Sequence, residues 1–373
     1  MDMVSSIYGL KELSKENNPG MLKILRDSPI ESNRTLFCFD RDPDIFYMAE
    51  LKYDRYVFTG FYRLDELVGF ALIGYHLAYV NGKPEYIGNL ANFFVNNKGR
   101  GRGFFYRASP VLFKNINRDI KIGYSVVMQG NQNAESHIAR HHEKFPDIPH
   151  SKVINTLVVR TILILFKKKE SNKYIIRKAS PSDIPAIVSL LQKDFSKRLF
   201  APYIDEKTFQ KNLEKRPCFG LGNYYLAEYK NKIVGVCAAW DCSSFKQIRI
   251  LHYGFTMKIL KLIISFLEFI FGVPALPAEG KAFKEVYITD YVTENKKPDI
   301  MKALLTRINN DYKKRKYGLI IFGSCANDPL LNSTKGFLSY SVRSSIIIGS
   351  NEPELLKPGA VDASLPYIDI ALL

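Results

Sequence analysis

Residues 89–105 read NLANFFVNNKGRGRGFF, a strand-like apolar run followed by a turn rich in glycine and arginine. The run ends at Val95, and the turn then alternates small and cationic residues: Gly99, Arg100, Gly101, Arg102 and Gly103. Glycines at alternate positions leave out the Cβ atoms that would hold a phosphate away from the main chain. A helix beginning after the turn would add free N–H groups and a positive dipole end. The stretch therefore predicts a binding site for a nucleotide or for a coenzyme with a pyrophosphate.

Two common phosphate-binding motifs do not match this turn. A Walker loop ends in Gly-Lys-Ser/Thr, whereas Phe104 and Phe105 follow Gly103. A dinucleotide fingerprint, Gly-x-Gly-x-x-Gly, lies early in a βαβ unit, whereas several strand-like runs precede this turn. The sequence therefore predicts neither a P-loop nor a Rossmann site here.

The turn resembles the acetyl-CoA loop of the GNAT superfamily of acyl-CoA-dependent N-acetyltransferases. That loop has the pattern Arg/Gln-x-x-Gly-x-Gly/Ala, a few residues past a valine on the fourth strand. Arg100 takes the first position and Gly103 the fourth, while Phe105 stands where the family has Gly or Ala. A second register, starting at Lys98, restores the final glycine but brings the loop too close to Val95, so we prefer the first. An arginine- and glycine-rich surface turn is the alternative interpretation.

The resemblance also implies which residues hold the coenzyme. In the family, the splayed fourth strand binds the pantetheine arm through its N–H groups, and an Asn-x-x-Ala motif after the fifth strand touches the coenzyme. Asn131 matches that asparagine, although an ordinary helix N-cap at this position is an equally compatible interpretation. The implied coenzyme-binding residues are Phe93, Val95, Arg100, Gly101, Arg102, Gly103, Phe104 and Asn131.

The proton donor for the departing thiolate is not evident, and the catalytic residues stay unassigned. Many relatives have a tyrosine seven residues after the asparagine, where this chain has Ile138. His137 and His141 could substitute because imidazole titrates near neutrality, although a surface or interdomain position is the simpler expectation. With His142 they could also bind a metal, but no other ligand spacing supports this, so we predict no metal site. Three further side chains could carry protons, and the sequence does not rank them: Glu50, Tyr86 and Tyr124.

Strand and turn signals occur twice in the same order, which predicts two homologous domains. Each copy has two strand-like runs around a polar turn: residues 56–62 and 67–75, then residues 224–229 and 233–240. Val292 is the predicted counterpart of Val95, which implies an insertion in the second copy at about residues 246–277. The second loop, after Val292, has no glycine, and Glu294 would oppose a phosphate. We therefore expect the second copy to have lost coenzyme binding and to serve acceptor recognition or stability.

These observations predict an α/β fold with a mixed α+β sheet. We expect two tandem GNAT-like domains, residues 1–168 and residues 169–373. Each would be a central, mostly antiparallel twisted sheet flanked by helices, with splayed fourth and fifth strands.

The most apolar run, residues 257–271, is predicted to form a buried helix with a narrow polar stripe. Its polar residues recur at helical spacing along one side: Lys258, Lys261, Ser265 and Glu268. The run is too short to cross a bilayer, so we predict no transmembrane segment. A helix that binds a membrane surface or an acyl chain is the alternative.

The composition favours an anionic partner. The formal net charge is +16, with 53 Lys and Arg against 37 Asp and Glu, which suits coenzyme A and also nucleic acid. Five scattered cysteines without metal spacing and an amino terminus without a secretory pattern predict a cytoplasmic protein. The predicted function is transfer of an acetyl group from acetyl-CoA to an amine of a small molecule or protein. The alternatives are a non-catalytic acyl-CoA-binding or scaffolding protein and, less favoured, a nucleic-acid-binding protein.

Overall fold

The computed structural model describes residues 8–32, 34–100, 120–130 and 149–373. The strands within these ranges are β1 (Tyr8–Leu13), β2 (Ile30–Ser32), β3 (Thr35–Asp40), β4 (Arg55–Arg63), β5 (Glu66–Val80), β6 (Lys83–Val95), β7 (Gly123–Met128), β8 (His150–Leu163), β9 (Ile175–Lys178), β10 (Tyr224–Tyr229), β11 (Lys232–Trp240), β12 (Gln247–His252), β13 (Glu285–Thr293), β14 (Leu319–Cys325) and β15 (Ser339–Ser350). The helices are α1 (Asn18–Arg26), α2 (Ile45–Lys52), α3 (Ile184–Phe195), α4 (Glu206–Lys215), α5 (Phe255–Phe271) and α6 (Pro298–Lys314).

A 12-stranded mixed sheet forms the centre of the molecule, in the order β1-β4-β5-β6-β7-β15-β8-β14-β13-β11-β10-β9. The pairs β6/β7 and β13/β14 are parallel, and the other neighbours are antiparallel. Strands β12, β3 and β2 form a second, smaller sheet. The predicted α/β class with a mostly antiparallel sheet flanked by helices is confirmed, although the sheet runs without a break through both halves of the chain.

The same pairing pattern occurs at both ends of the large sheet. From either outer edge, three antiparallel pairings precede one parallel pairing, through β1-β4-β5-β6-β7 and through β9-β10-β11-β13-β14. Gly69 lies opposite Val95 on one side, and Gly235 lies opposite Thr293 on the other. The counterpart of Val95 is therefore Thr293, one residue beyond the predicted Val292, because matching the two valines ignored the pairing register.

The two halves exchange strands at the middle of the sheet. Strand β7 of the first half pairs with β15, and β14 of the second half pairs with β8. Strands β8 and β15 pair with each other along almost their whole length. Each half thus completes the sheet of the other.

The helix predicted from the apolar run is present as α5, but the prediction that it is buried is wrong. It begins after Gly254 and ends at Gly272, whose φ of 60° suits glycine. Only Ile264 is buried along its 17 residues. The physical reason is that α5, in the segment between β12 and β13, makes no extensive contact with another element of the described residues. Within the described ranges, no helix has both the length and the apolar character needed to cross a bilayer.

Candidate functional site

Strands β6 and β7 run side by side for only a short distance and then part. Their last paired residues are Leu90 and Ser125, yet β6 continues to Val95 and β7 to Met128. Beyond the branch, β6 stays paired with β5 and β7 stays paired with β15. The two facing strand edges therefore have no sheet partner among the described residues, and we take the gap between them as the candidate cleft.

A bulge turns β6 away at this branch. The register between β5 and β6 shifts so that Phe70 pairs with Phe94 and Leu72 pairs with Ala91. Asn92 takes up the extra length with a φ of 50°, a conformation that asparagine tolerates better than most residues. Phe94 packs towards the core, whereas Phe93 is 38% exposed.

The turn after β6 is organised by Asn96. Its side-chain Oδ1 accepts hydrogen bonds from the N–H groups of Lys98 (3.0 Å) and Gly99 (3.2 Å), and its main-chain oxygen accepts one from Arg100 (3.1 Å). The Arg100 Nε donates to the Val95 carbonyl at 3.3 Å. Because these N–H groups are already used, the exposed Arg100 guanidinium is the group described at this corner that would suit a phosphate.

The structure thus places three of the predicted coenzyme-binding residues, Phe93, Val95 and Arg100, together at the open end of the branch. The other five lie outside the described residues: Gly101, Arg102, Gly103, Phe104 and Asn131. The candidate proton carriers or metal ligands His137, His141 and His142 also lie outside them. Within the described part of the chain, no group of three or more His, Cys, Asp or Glu side chains is placed to hold a metal ion.

Asn89 ties the closed end of the branch together. It pairs with Tyr124, one residue before the last pair of β6 and β7. Its side-chain Nδ2 donates a hydrogen bond to the Tyr124 carbonyl at 3.1 Å. Its Oδ1 accepts from the Tyr53 hydroxyl at 2.6 Å and from the Lys52 ammonium at 2.9 Å. One buried amide therefore joins both strands to the C-terminal end of α2 and holds Lys52 beside the closed end of the branch.

Lys52 titrates close to neutrality. Burial lowers the pKa of its ammonium from 10.5 to about 8, while the charge of Asp369 acts in the opposite direction. Burial, with a further contribution from the Lys52 charge, lowers the pKa of neighbouring His76 to about 3, so that imidazole stays neutral. Burial also raises the pKa of Tyr124, whose phenol stays protonated. Lys52 is therefore the described group at this cleft that is best matched to proton transfer near pH 7 to 8.

Of the three proton carriers considered from sequence, only Tyr124 lies at the branch. Glu50 is ion-paired with Lys15 at 2.7 Å, on the other side of α2. Tyr86 is 48% exposed and precedes the branch along β6. Lys52 is not among the residues predicted from sequence, although its position as the cation that ends the mostly apolar helix α2 is a local signal for it.

The equivalent branch between β13 and β14 is closed by protein. These strands part after Tyr287 and Ile321, and a φ of 45° at Asp290 marks a second bulge. Residues 367–373 cover it: the Asp290 N–H donates to the Tyr367 hydroxyl at 3.1 Å, and the Thr289 hydroxyl donates to Asp369 at 2.9 Å. The Asp290 carboxylate is also engaged within the protein, by Arg216 (2.8 Å) and by the Tyr224 hydroxyl (2.6 Å).

The fold is that of the GNAT acyltransferases. An N-myristoyltransferase from Saccharomyces cerevisiae, solved with bound myristoyl-CoA, matches over 94% of this chain and 84% of that one, with a TM-score of 0.57 and 16% identity. A GCN5-related N-acetyltransferase from Anabaena variabilis matches over 93% of this chain and 74% of that one, with a TM-score of 0.50 and 13% identity. No protein-family model and no curated protein sequence matches the chain. The structural likeness confirms the GNAT fold predicted from the turn.

Proposed function

We propose that the protein is an acyl-CoA-dependent N-acyltransferase that moves an acetyl group from acetyl-CoA to an amine of a small molecule or protein. The open branch between β6 and β7 supports this proposal most directly. Unpaired main-chain N–H groups along a parted strand edge can bind the pantetheine arm and polarise the thioester carbonyl. The Arg100 guanidinium at the mouth of the cleft suits the pyrophosphate of the coenzyme.

Lys52 is the proposed general base. In its neutral form it accepts a proton from the acceptor amine as the amine nitrogen bonds to the thioester carbonyl carbon. The carbon–sulfur bond then breaks and the coenzyme leaves as a thiolate that takes up a proton from solvent, while Lys52 releases its proton to solvent. A pKa of about 8 supports this role, because a useful fraction of Lys52 is neutral near pH 7 to 8.

We assign the coenzyme to the first copy, residues 1–168, with residues 169–373 as the second. Two observations favour this assignment. The first branch is open in the described residues, whereas the second is covered by residues 367–373. The Asp290 carboxylate at the second branch is also occupied by Arg216 and Tyr224, so the protein's own side chains fill that branch. The second copy then contributes residues such as Asp369 to the surroundings of Lys52.

Acetyl-CoA is expected to stabilise the protein against thermal unfolding. A ligand at about 100 times its Kd adds roughly 2.7 kcal/mol to the folded state. Arg100→Glu and Gly103→Val should each abolish most of that increase, because one reverses the charge at the cleft mouth and the other crowds the glycine-rich turn. Arg55→Glu, a charge reversal at an arginine on β4, is the matched control.

Differential scanning calorimetry with and without acetyl-CoA measures the effect. The proposal fails if both cleft variants keep the full stabilisation. Stabilisation without turnover on a panel of amines would instead favour a non-catalytic acyl-CoA-binding protein. The same measurement with longer acyl-CoA thioesters would show which acyl chain length stabilises the protein most.

A further inference from the structure

Helix α5 presents an apolar side to solvent. Its exposed large side chains include Phe269 at 89%, Phe255 at 75% and Leu262 at 72%. Seven of them fall within about 120° of the helix circumference at 3.6 residues per turn. These seven residues, the apolar face, are Phe255, Ile259, Leu262, Ile263, Phe266, Phe269 and Ile270.

The apolar face is separate from the side that contacts the protein. Ile264, on the opposite side of the helix, is its buried residue. The polar stripe of Lys258, Lys261, Ser265 and Glu268 lies between these two sides by helical spacing. The apolar face therefore does not serve the packing of α5 against its own chain.

Contacts at both ends hold α5 against the body of the molecule. At the start, the Gly254 N–H donates to the Thr35 hydroxyl at 3.1 Å. At the end, the Lys313 ammonium donates to the Gly272 carbonyl at 3.2 Å, and the Phe271 ring lies 6.1 Å from that of Phe166. Because both ends of α5 are held, its apolar face could insert into an apolar environment such as lipid without unfolding the rest of the protein.

Cationic residues gather at the C-terminal end of α5. Lys313 begins the run KKRK, residues 313–316, in which residues 314–316 are exposed. Phe166, which contacts Phe271, is followed directly by the lysines of residues 167–169. The whole chain carries a formal net charge of +16. A surface that combines exposed aromatic and aliphatic side chains with cations is suited to the interface of an anionic bilayer.

The same charges argue against a second copy of the chain as the partner that covers the apolar face. Two copies that each carry a formal net charge of +16 repel each other on approach, and a second copy would leave the cations beside the apolar face without counter-charges. An anionic lipid surface instead neutralises them. We propose that α5 is a membrane-surface anchor that lies in the headgroup region of bilayers containing anionic lipid, with its apolar face inserted. This inference does not depend on the proposed acyltransferase activity.

Co-sedimentation of the full chain with vesicles tests the anchor. Binding should be strong to vesicles of phosphatidylcholine mixed with phosphatidylserine, weak to phosphatidylcholine alone, and weaker in high salt. Phe266→Asp combined with Phe269→Asp should lower the partition coefficient at least about tenfold, because two charges replace inserted rings. Ile175→Asp combined with Tyr229→Asp is the matched control, since these exposed residues lie on β9 and β10 at the far edge of the large sheet.

Lys314→Glu combined with Lys316→Glu should weaken binding to the mixed vesicles and leave the weak binding to phosphatidylcholine unchanged. Thermal unfolding verifies that every variant is folded. The proposal is overturned if the wild-type chain does not bind the mixed vesicles, binds both vesicle types equally, or binds as well after the two phenylalanine substitutions. A dimer in light scattering that those two substitutions dissociate would show instead that the face joins two copies.

Discussion

Lys52→Met is expected to lower kcat for acetyl transfer about 100-fold while leaving the Kd for acetyl-CoA unchanged. Methionine keeps the unbranched length of the side chain but cannot accept a proton. Asn89 keeps its bond to the Tyr53 hydroxyl, so the closed end of the branch stays in place. Steady-state kinetics for kcat and calorimetric titration for Kd separate the two quantities.

The pH profile of kcat/KM tests whether the neutral or the protonated form of Lys52 is active. Because a general base must be neutral, kcat/KM should rise with pH and level off above about 8, the pKa of Lys52. The variant Lys52→Met should lose that inflection. Lys178 is a matched control, since burial also lowers its pKa to about 8, but it lies on β9 at the far edge of the sheet. The profile of Lys178→Met should match that of the wild type.

A profile that falls through pH 8 would contradict the assigned role, because it would mean that protonated Lys52 is the active form. An inflection retained in Lys52→Met would remove Lys52 from the chemistry. Measuring acceptor amines of different pKa values separates the titration of the enzyme from that of the substrate.

Asp328→Asn is expected to lower the free energy of unfolding by about 3 kcal/mol. Asp328 and Arg198 have side chains with 0% exposure, joined at 2.9 Å. The substitution leaves the guanidinium charge buried without its main partner. The expected loss is at the lower end for a buried pair because Asp194 also lies 3.5 Å from Arg198. Urea denaturation monitored by circular dichroism measures the change.

Glu354→Gln provides the comparison for Asp328→Asn. Glu354 pairs with Lys357, and both side chains are well exposed, so the loss should stay below about 1 kcal/mol. Combining Asp328→Leu with Arg198→Met should recover most of the lost stability, because the double change removes the unpaired charge itself. An equal loss at the buried and exposed sites would show that burial does not govern these ion pairs.

The sequence allowed much of the fold to be predicted, because the signals concerned were local. The runs at residues 67–75 and 233–240 lie within β5 and β11. The runs at residues 56–62 and 224–229 lie within β4 and β10. The position of Val95 at the end of β6 was also correct, since an apolar run followed by a polar, glycine-rich turn marks a strand end.

The remaining features depend on contacts that no local pattern reports. The pairing register beside the bulges at Asn92 and Asp290 makes Thr293 the counterpart of Val95, whereas residue type alone favoured Val292. Lys52 gains its lowered pKa from burial against residues distant in sequence. Burial of α5 was predicted from its composition, yet whether a face is covered depends on the presence of a neighbouring element.

The exchange of β8 and β15 has a consequence for synthesis on the ribosome. After residues 123–128 emerge, β7 has no partner on one edge until residues 339–350 have been made. An open strand edge can pair with other chains, so the nascent protein is exposed to aggregation during that interval. We expect a fragment that stops at residue 168 to be poorly soluble for this reason, and early protection of that edge by a chaperone to improve the yield of the native protein.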